Sequence, residues 1–370
     1  MNRLLTLSRW FVGVLFIFSG LVKANDPLGL SYKMQEFFEV WQLGFLDPYT
    51  FAFSIAMITF EIIAGVAIII GWQFRVFSWL IFLLIVFFTF LTGYAVLSGK
   101  VKECGCFGDC IPLTAAQSFT KDLILLVIVS WLLIKRNHIT SSLHARSASI
   151  LLIASTIATI YLQFYALEYL PPLDCLPYKK GADINEQMKI PATAIPDSTV
   201  ITFVYQKEGK EVEFDTEHFP EDFNDSLYVF VRRYDKLIRK GNAEPAIKDF
   251  VIMTAQGVDT TSEILNDPRE MWVIFIRKID SGSFSWINAI QKINSWSINN
   301  DRPVIVITPQ YEDVANAFNQ SKIQLPVYKG DLVAIKTAAR SNPTLYKLQQ
   351  GVILGKWGRG DLLEPFAIKE

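Results

Sequence analysis

The sequence predicts an α-helical membrane bundle followed by an α/β soluble domain. Three observations carry that expectation. Apolar runs crowd the first 167 positions, each near the roughly 20 residues that cross about 30 Å of hydrocarbon. Half of the 370 residues are hydrophobic (51%) while 19% are charged, and the mean hydropathy is +0.29. Two differently solvated parts explain that mixture, and at this length each can bury its own core. Beyond position 200 the pattern changes to short apolar strands alternating with amphipathic helices, as in an α/β layer.

The first run covers 4–22, with Arg3 before it and Arg9 inside it. No small-x-small cleavage pattern follows, so it reads as a retained helix rather than a removed leader, and no cysteine lies near it for lipid attachment. Four more runs cover 50–71, 75–97, 114–134 and 147–167. Glu61 lies mid-span in the second, where a charge costs about 2.5 kcal/mol or more. It reads either as an intramembrane proton carrier or as a protonated side chain bonded to a neighbouring helix, with Thr89 at similar depth. Between the first two runs, Met34, Phe37, Phe38 and Trp41 recur at i, i+3, i+4, i+7. A short helix over 31–41 in the headgroup layer is expected, capping the bundle or gating it. In the fifth run Ala154, Ser155, Ala158 and Thr159 form a small-residue face suited to close packing. Loop 135–146 carries three Lys/Arg and no acid, and Arg3, Arg9 and Arg75 fall on the same side. The positive-inside rule then makes this a multi-pass inner-membrane protein with a cytoplasmic N-terminus and a periplasmic C-terminal domain. Lys23, Lys33, Lys100, Lys102 and Lys121 fall opposite, among acids.

Three of the four cysteines stand in Cys104-Gly105-Cys106-Phe107-Gly108-Asp109-Cys110. The fourth, Cys175, follows Pro171-Pro172 on the same predicted side. No cysteine lies in a predicted cytoplasmic loop, as expected for thiols that meet an oxidising compartment. A Cys-x-Cys pair closes a small strained ring that tends to oxidise other dithiols. Gly105 and Gly108 give the backbone freedom, Lys102 favours a thiolate, and Asp109 opposes one. Thr114 and Gln117 form a capping box that opens the fourth span, whose dipole also favours thiolate. Four cysteines allow three pairings: Cys104 with Cys106 and Cys110 with Cys175, or either arrangement tying Cys175 to the Cys-x-Cys pair. A redox relay with Cys175 as exchange partner, a purely structural disulfide set and a metal site all remain open, although the spacing lacks the paired C-x2-C knuckles of zinc sites. His138, His144 and His218 do not cluster with the thiols. A net charge of −1 and no basic block argue against nucleic acid.

From 168 to 199 the chain reads as a linker carrying Cys175. Residues 200–205 and 211–214 alternate around Glu208-Gly209-Lys210, a β-hairpin. A strand at 271–277, a helix at 285–296, a strand at 303–308 and a helix at 312–320 follow. Asn342-Pro343-Thr344 precedes strands at 345–348 and 352–357. This order resembles the thioredoxin fold, more particularly the exported TlpA/peroxiredoxin-like group, over 245–365. Residues 246–251 resemble that group's opening strand and Gln256-Gly257-Val258-Asp259 its turn. Asn342-Pro343-Thr344 resembles the cis-proline segment, which implies partner binding in the groove beside these three residues. The redox loop of the group would follow 271–277, where this chain has Lys278-Ile279-Asp280-Ser281-Gly282-Ser283-Phe284. Without a thiol the domain cannot run exchange alone, so binding or docking is expected of it.

Phe18-Ser19-Gly20-Leu21-Val22-Lys23, Asp26-Pro27 and Glu61-Ile62-Ile63-Ala64-Gly65 resemble the DoxX-like membrane proteins. The third span running into Cys104-Gly105-Cys106-Phe107-Gly108 resembles the MauE branch, the methylamine-utilisation family associated with maturing disulfide-rich exported proteins. Cys110 and the fifth span are additions to that pattern. The resemblance implies a four-helix transmembrane domain over 1–137, joined by a fifth helix at 147–167 and a periplasmic domain at 200–370, a fusion similar to those of Bacteroidota. It implies a thiol-redox or assembly role, with quinone as a cofactor in some DoxX relatives, in the lipid bilayer and toward an exported client. The alternative is a non-enzymatic adaptor whose cysteine-free thioredoxin-like domain binds an exported partner.

Overall fold

The structure, a computed structural model, describes residues 3–99, 101, 105, 107–195, 198–216, 218–224, 226–239, 241, 243–279 and 284–366. Two units form: residues 1–182 with 250–370, and residues 183–249.

The first unit opens with helices α1 (Arg3–Asn25), α2 (Pro27–Val40), α3 (Thr50–Ile70), α4 (Phe74–Ser98), α5 (Ala115–Ile134) and α6 (Ala145–Tyr169). Among the described residues, five helices are long and apolar enough to cross a membrane, all of these except α2. Local chemistry sets the boundaries. Asp26 caps α2 by accepting from Gly29 N at 3.0 Å, with Pro27 at the first helical position. The Thr114–Gln117 capping box forms at the start of α5. Helices α1 and α3 cross at Gly13 and Gly65: a Cβ on Gly13 would stand 2.8 Å from the Gly65 carbonyl oxygen, so only glycine permits this approach. Val12, Phe16, Ile68, Ile81, Ile85 and Leu125 share one apolar core.

Helix α6 packs by a different face from the one its small residues suggested. Ala154 and Ala158 are exposed, whereas Ala148, Leu152, Thr159, Gln163 and Ala166 are buried. The buried positions recur every three to seven residues along one stripe, and Gln163 Nε2 donates to Thr59 Oγ1 of α3 at 3.0 Å. That bond ties the stripe to α3, and Thr159 is the member of the expected small-residue face that lies on it. The helices alternate in direction. One end of the bundle gathers Arg9, the α3–α4 turn and the α5–α6 loop, where Ser142 N donates to Ile70 O at 2.8 Å. The opposite end gathers the α1–α2 junction, the cysteine loop and the exit from α6.

The second unit holds the short helix α7 (Ile184–Gln187) and a three-stranded antiparallel sheet of order β2-β1-β3, with β1 (Ser198–Lys207), β2 (Lys210–Asp215) and β3 (Tyr228–Arg239). The β1–β2 hairpin closes with Glu208 and Gly209 both at positive φ, 51° and 81°, the combination that matches strand twist in a two-residue turn. Tyr205 stacks on Phe214 at 5.3 Å between ring centres. Strand β3 lies outside the sequence expectation, because Arg232-Arg233-Tyr234-Asp235 shows no apolar alternation.

The remaining chain builds a six-stranded sheet of order β4-β7-β6-β5-β8-β9. In chain order these elements are β4 (Ile252–Met253), α8 (Thr261–Leu265), β5 (Met271–Phe275), α9 (Phe284–Asn300), β6 (Val304–Thr308), α10 (Tyr311–Gln320), β7 (Val327–Gly330), α11 (Leu332–Ala338), β8 (Thr344–Gln349) and β9 (Val352–Trp357). Strands β5, β6 and β7 run parallel, and β4, β8 and β9 antiparallel to their neighbours. Strands β5 and β6 are buried at every position, as central parallel strands covered on both faces must be. The peptide bond Asn342-Pro343 is cis. The strand expected over 246–251 is instead irregular. Asp249 sits at φ 53°, a left-handed conformation that breaks an extended run, and pairing begins only at Ile252.

The end of α6 is fastened to this layer. Arg359 pairs with Glu168, its Nε 3.0 Å from Oε1, and Gly360 N donates to the Glu168 carbonyl at 3.0 Å. Beside them Asp361 Oδ1 is buried with no hydrogen-bond partner among the described residues. Burial, against backbone hydrogen bonds that lower it and with Glu364 and Glu168 adding repulsion, pushes the Asp361 carboxyl from 3.8 up to about 6. A raised acid favours the protonated fold, so its contribution is complete below about pH 4 and lost as pH rises through about 6. Discounted for partial exposure, the loss is about 1 kcal/mol. Asp361→Asn is expected to flatten stability across pH 4–6, read by melting temperature in detergent.

Candidate functional site

The cysteine loop joins α4 to α5. Cys104 and Cys106, with Lys102, lie outside the described residues; Gly105 and 107–110 of the same loop are described. Gly105 and Gly108 adopt φ of 64° and 56°, which requires glycine or a strained residue. Phe107 is buried, its ring 5.9 Å from that of Phe18 and 5.2 Å from the Lys121 ammonium. Cys110 is bonded to Cys175, with Cα atoms 4.9 Å apart. Asn25, at the end of α1, clamps the incoming strand: its Nδ2 donates to Leu173 O at 2.8 Å and its Oδ1 accepts from Leu173 N at 2.9 Å. Of the three pairings the spacing permits, the structure holds the one that joins Cys110 to Cys175. In a chain of four cysteines this leaves Cys104 and Cys106 as the remaining two.

Asp109 is bound from the far end of the chain. Arg340, with only 6% of its side chain exposed, donates from Nη2 to Asp109 Oδ2 at 3.0 Å and from Nε to Asp26 Oδ2 at 2.7 Å. Its Nη1 donates to Lys336 O at 2.6 Å. Burial opposes its charge, but Asp26, Asp109 and Tyr32 outweigh that and raise the guanidinium above its ordinary value. The guanidinium also lies 5.4 Å from the Tyr32 ring centre, and Arg277 donates to the Tyr32 hydroxyl. Lys356 pairs with Asp174 at 2.7 Å beside Cys175, its ammonium lowered chiefly by burial against the pull of Asp174.

Asn342, Pro343 and Thr344 follow Arg340 after one residue, Ser341. Pro343 and Thr344 are buried, and Asn342 spends its side chain on the strand opposite, accepting from Arg277 N at 2.8 Å and donating to Lys278 O at 2.8 Å. Ser341 Oγ, next to them, donates to the Glu168 carbonyl at 3.3 Å. This edge of the sheet therefore faces the bundle end that carries the cysteine loop.

Inside the bundle a cavity of about 430 Å³ opens between α2, α3 and α4. Phe37, Phe38, Trp41, Phe53 and Phe88 form much of its wall, and Lys23, Lys33 and Gly105 also line it. The face Met34, Phe37, Phe38, Trp41 expected on an amphipathic helix does line this cavity from α2. Glu61 lies next to it, but its partner is not Thr89, whose hydroxyl donates to Ile85 O. Glu61 Oε1 stands 2.5 Å from Lys23 Nζ, both side chains at most 3% exposed, and Oε2 accepts from Ser19 at 3.1 Å. Lys23 was expected among the surface charges; it is buried because the α1–α3 crossing brings it level with Glu61. A second buried acid, Asp122, escaped the sequence reading. It pairs with Lys121 at 2.6 Å and accepts from Thr92 at 3.1 Å. A pocket of about 20 Å³, lined by Ser19, Lys23, Glu61, Phe107 and Lys121 among others, connects these groups to the cysteine loop. Three histidines offer nothing further: among the described residues no group of three or more His, Cys, Asp or Glu is placed to hold a metal ion.

Together these features define a multi-pass membrane protein whose α/β domain grips a disulfide-closed cysteine loop at one end of the bundle. Residues 1–135 match the family described as methylamine utilisation protein MauE. Residues 199–240, the three-stranded sheet, match a domain of unknown function, DUF8463. Over 135 residues the chain is 33% identical to Protein TlpB of Flavobacterium psychrophilum, a stretch that covers 35% of this chain and 37% of that protein. No solved structure matches.

Proposed function

We propose that this protein is a thiol-redox accessory of the inner membrane that acts through Cys104 and Cys106 on exported proteins. The observation that carries the reading is the Cys110–Cys175 bond, which commits the other two thiols and leaves the Cys-x-Cys pair as the exchanging unit. A thiolate of the client attacks one sulfur of a Cys104–Cys106 disulfide and forms a mixed disulfide. The second client thiolate then displaces it, so the client gains a disulfide and Cys104 and Cys106 leave as two thiols. The cysteine-free α/β domain, read as thioredoxin-like from its parallel β5-β6-β7 core and the cis bond before β8, serves to dock and position. The charge bias of loop 135–146 supports the cysteine end facing the periplasm.

The cavity fits a quinone. Its walls are largely aromatic, Lys23 and Lys33 line it as candidate donors to carbonyl oxygens, and Gly105, which stands between the two cysteines in sequence, lines it too. Bound there, a quinone would supply the two-electron acceptor that restores the disulfide. Glu61, in contact with Lys23, is the proposed proton carrier between that site and the loop.

Because exchange is reversible, the lone Cys104 thiolate of Cys106→Ser in the full chain is expected to attack client disulfides, releasing one client thiolate, and to accumulate the mixed disulfides that Cys106 would otherwise resolve, seen by non-reducing electrophoresis and peptide mapping. Cys104 and Cys106 oxidised and unreactive under every redox condition, with no adduct in either single variant, would overturn the reading in favour of a non-enzymatic adaptor that binds exported partners through the α/β domain.

A further inference from the structure

We infer that Arg340 of the α/β domain is a positioning residue for the cysteine loop, which it keeps poised for thiolate formation by neutralising Asp109. The inference rests on the reading of Cys104 and Cys106 as working thiols, but it concerns their acidity and not their client. Asp109 stands three residues from Cys106. At about 3.3–3.6 Å per residue its carboxylate cannot be much more than ~11 Å away along the chain, close to one Debye length at physiological salt. An unpaired carboxylate there opposes ionisation of the nearer thiol, Cys106.

The other charges around the loop are already paired with one another. Lys33, which would meet a Cβ on Gly105 with its Cγ at 3.1 Å, holds Glu36 at 3.1 Å. Lys121 beside Phe107 holds Asp122, Lys23 holds Glu61, and Lys356 beside Cys175 holds Asp174. Lys102 and Glu103, adjacent in sequence, carry opposite formal charges. Asp26 and Asp109 both accept from Arg340. One buried guanidinium thus ties three separated segments together: the α1–α2 junction, the cysteine loop and the approach to the cis bond. Its three donor nitrogens are all committed, with Nη1 on the Lys336 carbonyl, so its position is set by α11 and not by solvent. The Tyr32 ring lies against both the Arg340 guanidinium and the Lys336 ammonium, 5.4 and 4.9 Å from its centre. This supplies a task for a thioredoxin-like domain that has no thiol: it contributes a cation where the membrane loop has an excess acid.

The test measures alkylation rate against pH for Cys104 and Cys106 in the full-length protein, by peptide mapping after reduction, with Cys110 and Cys175 scored separately. Arg340→Gln is expected to raise the midpoint by about 0.3 to 1.2 units, the effect of one charge about 10 Å away at an effective dielectric of 20 to 80. Adding Asp109→Asn to that variant is expected to return the midpoint to the wild-type value, a rescue that a purely structural loss would not allow. Asp109→Asn alone leaves Arg340 paired with Asp26 and is expected to lower the midpoint below wild type. It keeps the inference testable where Arg340→Gln fails to fold. Midpoints that stay put in Arg340→Gln, a double variant that remains shifted, or an Asp109→Asn midpoint at or above wild type would overturn it. Failure to trap a client with wild-type acidity intact would instead count against the exchange reading alone.

Discussion

Replacing Glu61 by Ala, or Lys23 by Met, is expected to destabilise the bundle by about 3–5 kcal/mol, because each change leaves one buried charge without its partner. The two side chains are 1% and 3% exposed and 2.5 Å apart. The Ser19 hydroxyl is too weak a partner to replace an ammonium. The double variant Lys23→Met with Glu61→Leu removes both charges and fills similar volume, so most of the loss is expected to return, a non-additivity that identifies the pair itself. Denaturant or thermal unfolding in detergent reads the stability, and steady-state abundance in cells reads its consequence. If singles and double all behave like wild type, the pair carries no structural weight. Glu61→Gln separates structure from proton transfer. It keeps the shape and the Ser19 contact, so slower reoxidation of Cys104 and Cys106 at unchanged abundance supports a proton role, and lost abundance supports a packing role.

The five spans were legible because length and hydropathy are local properties, and the structure ends each helix within a few residues of the predicted run. The same holds for the Thr114 capping box and for strands β5, β6, β8 and β9, whose apolar patterns are continuous. What was hidden depends on distant neighbours. Lys23 at the end of an apolar run looks like a headgroup charge until the glycine crossing at Gly13 and Gly65 sets the register of α1 on α3. The signal was present in the spacing of Ser19, Lys23, Glu61 and Gly65, but only a packed pair of helices gives it meaning. Small residues misled in α6, since of that face Thr159 lies on the buried stripe that Gln163 ties to Thr59, while Ala154 and Ala158 are exposed. Strand β7 and helix α11 are too short to show a period. Arg340 carries no sequence signal at all: its partners lie 314 and 231 positions away. The cysteine spacing left three pairings open, and only proximity at the bundle end selects one. The fold class was therefore readable from patterns, while the site was readable in its residue types but not in its connections.

Breaking the Cys110–Cys175 bond is the second change with a large expected effect. The cross-link spans 65 positions, and closing a loop of that size restricts an unfolded chain by roughly 4 kcal/mol in the entropic treatment. Helices α5 and α6 lie inside the loop and persist in detergent after tertiary contacts are lost. The denatured ensemble is then less free than a random coil, and the expected loss falls to about 2–4 kcal/mol. Cys110→Ser, Cys175→Ser and the double variant should lose the same amount, because each removes one and the same bond. The local consequence is larger than the global one. Asp109 adjoins Cys110 and Asp174 adjoins Cys175, so releasing the bond loosens both acids from Arg340 and Lys356. Unfolding midpoints under non-reducing conditions should therefore fall in all three variants and in reductant-treated wild type alike. Equal midpoints in the presence and absence of the bond would assign it no stabilising role and return Cys110 and Cys175 to the pool of exchanging thiols.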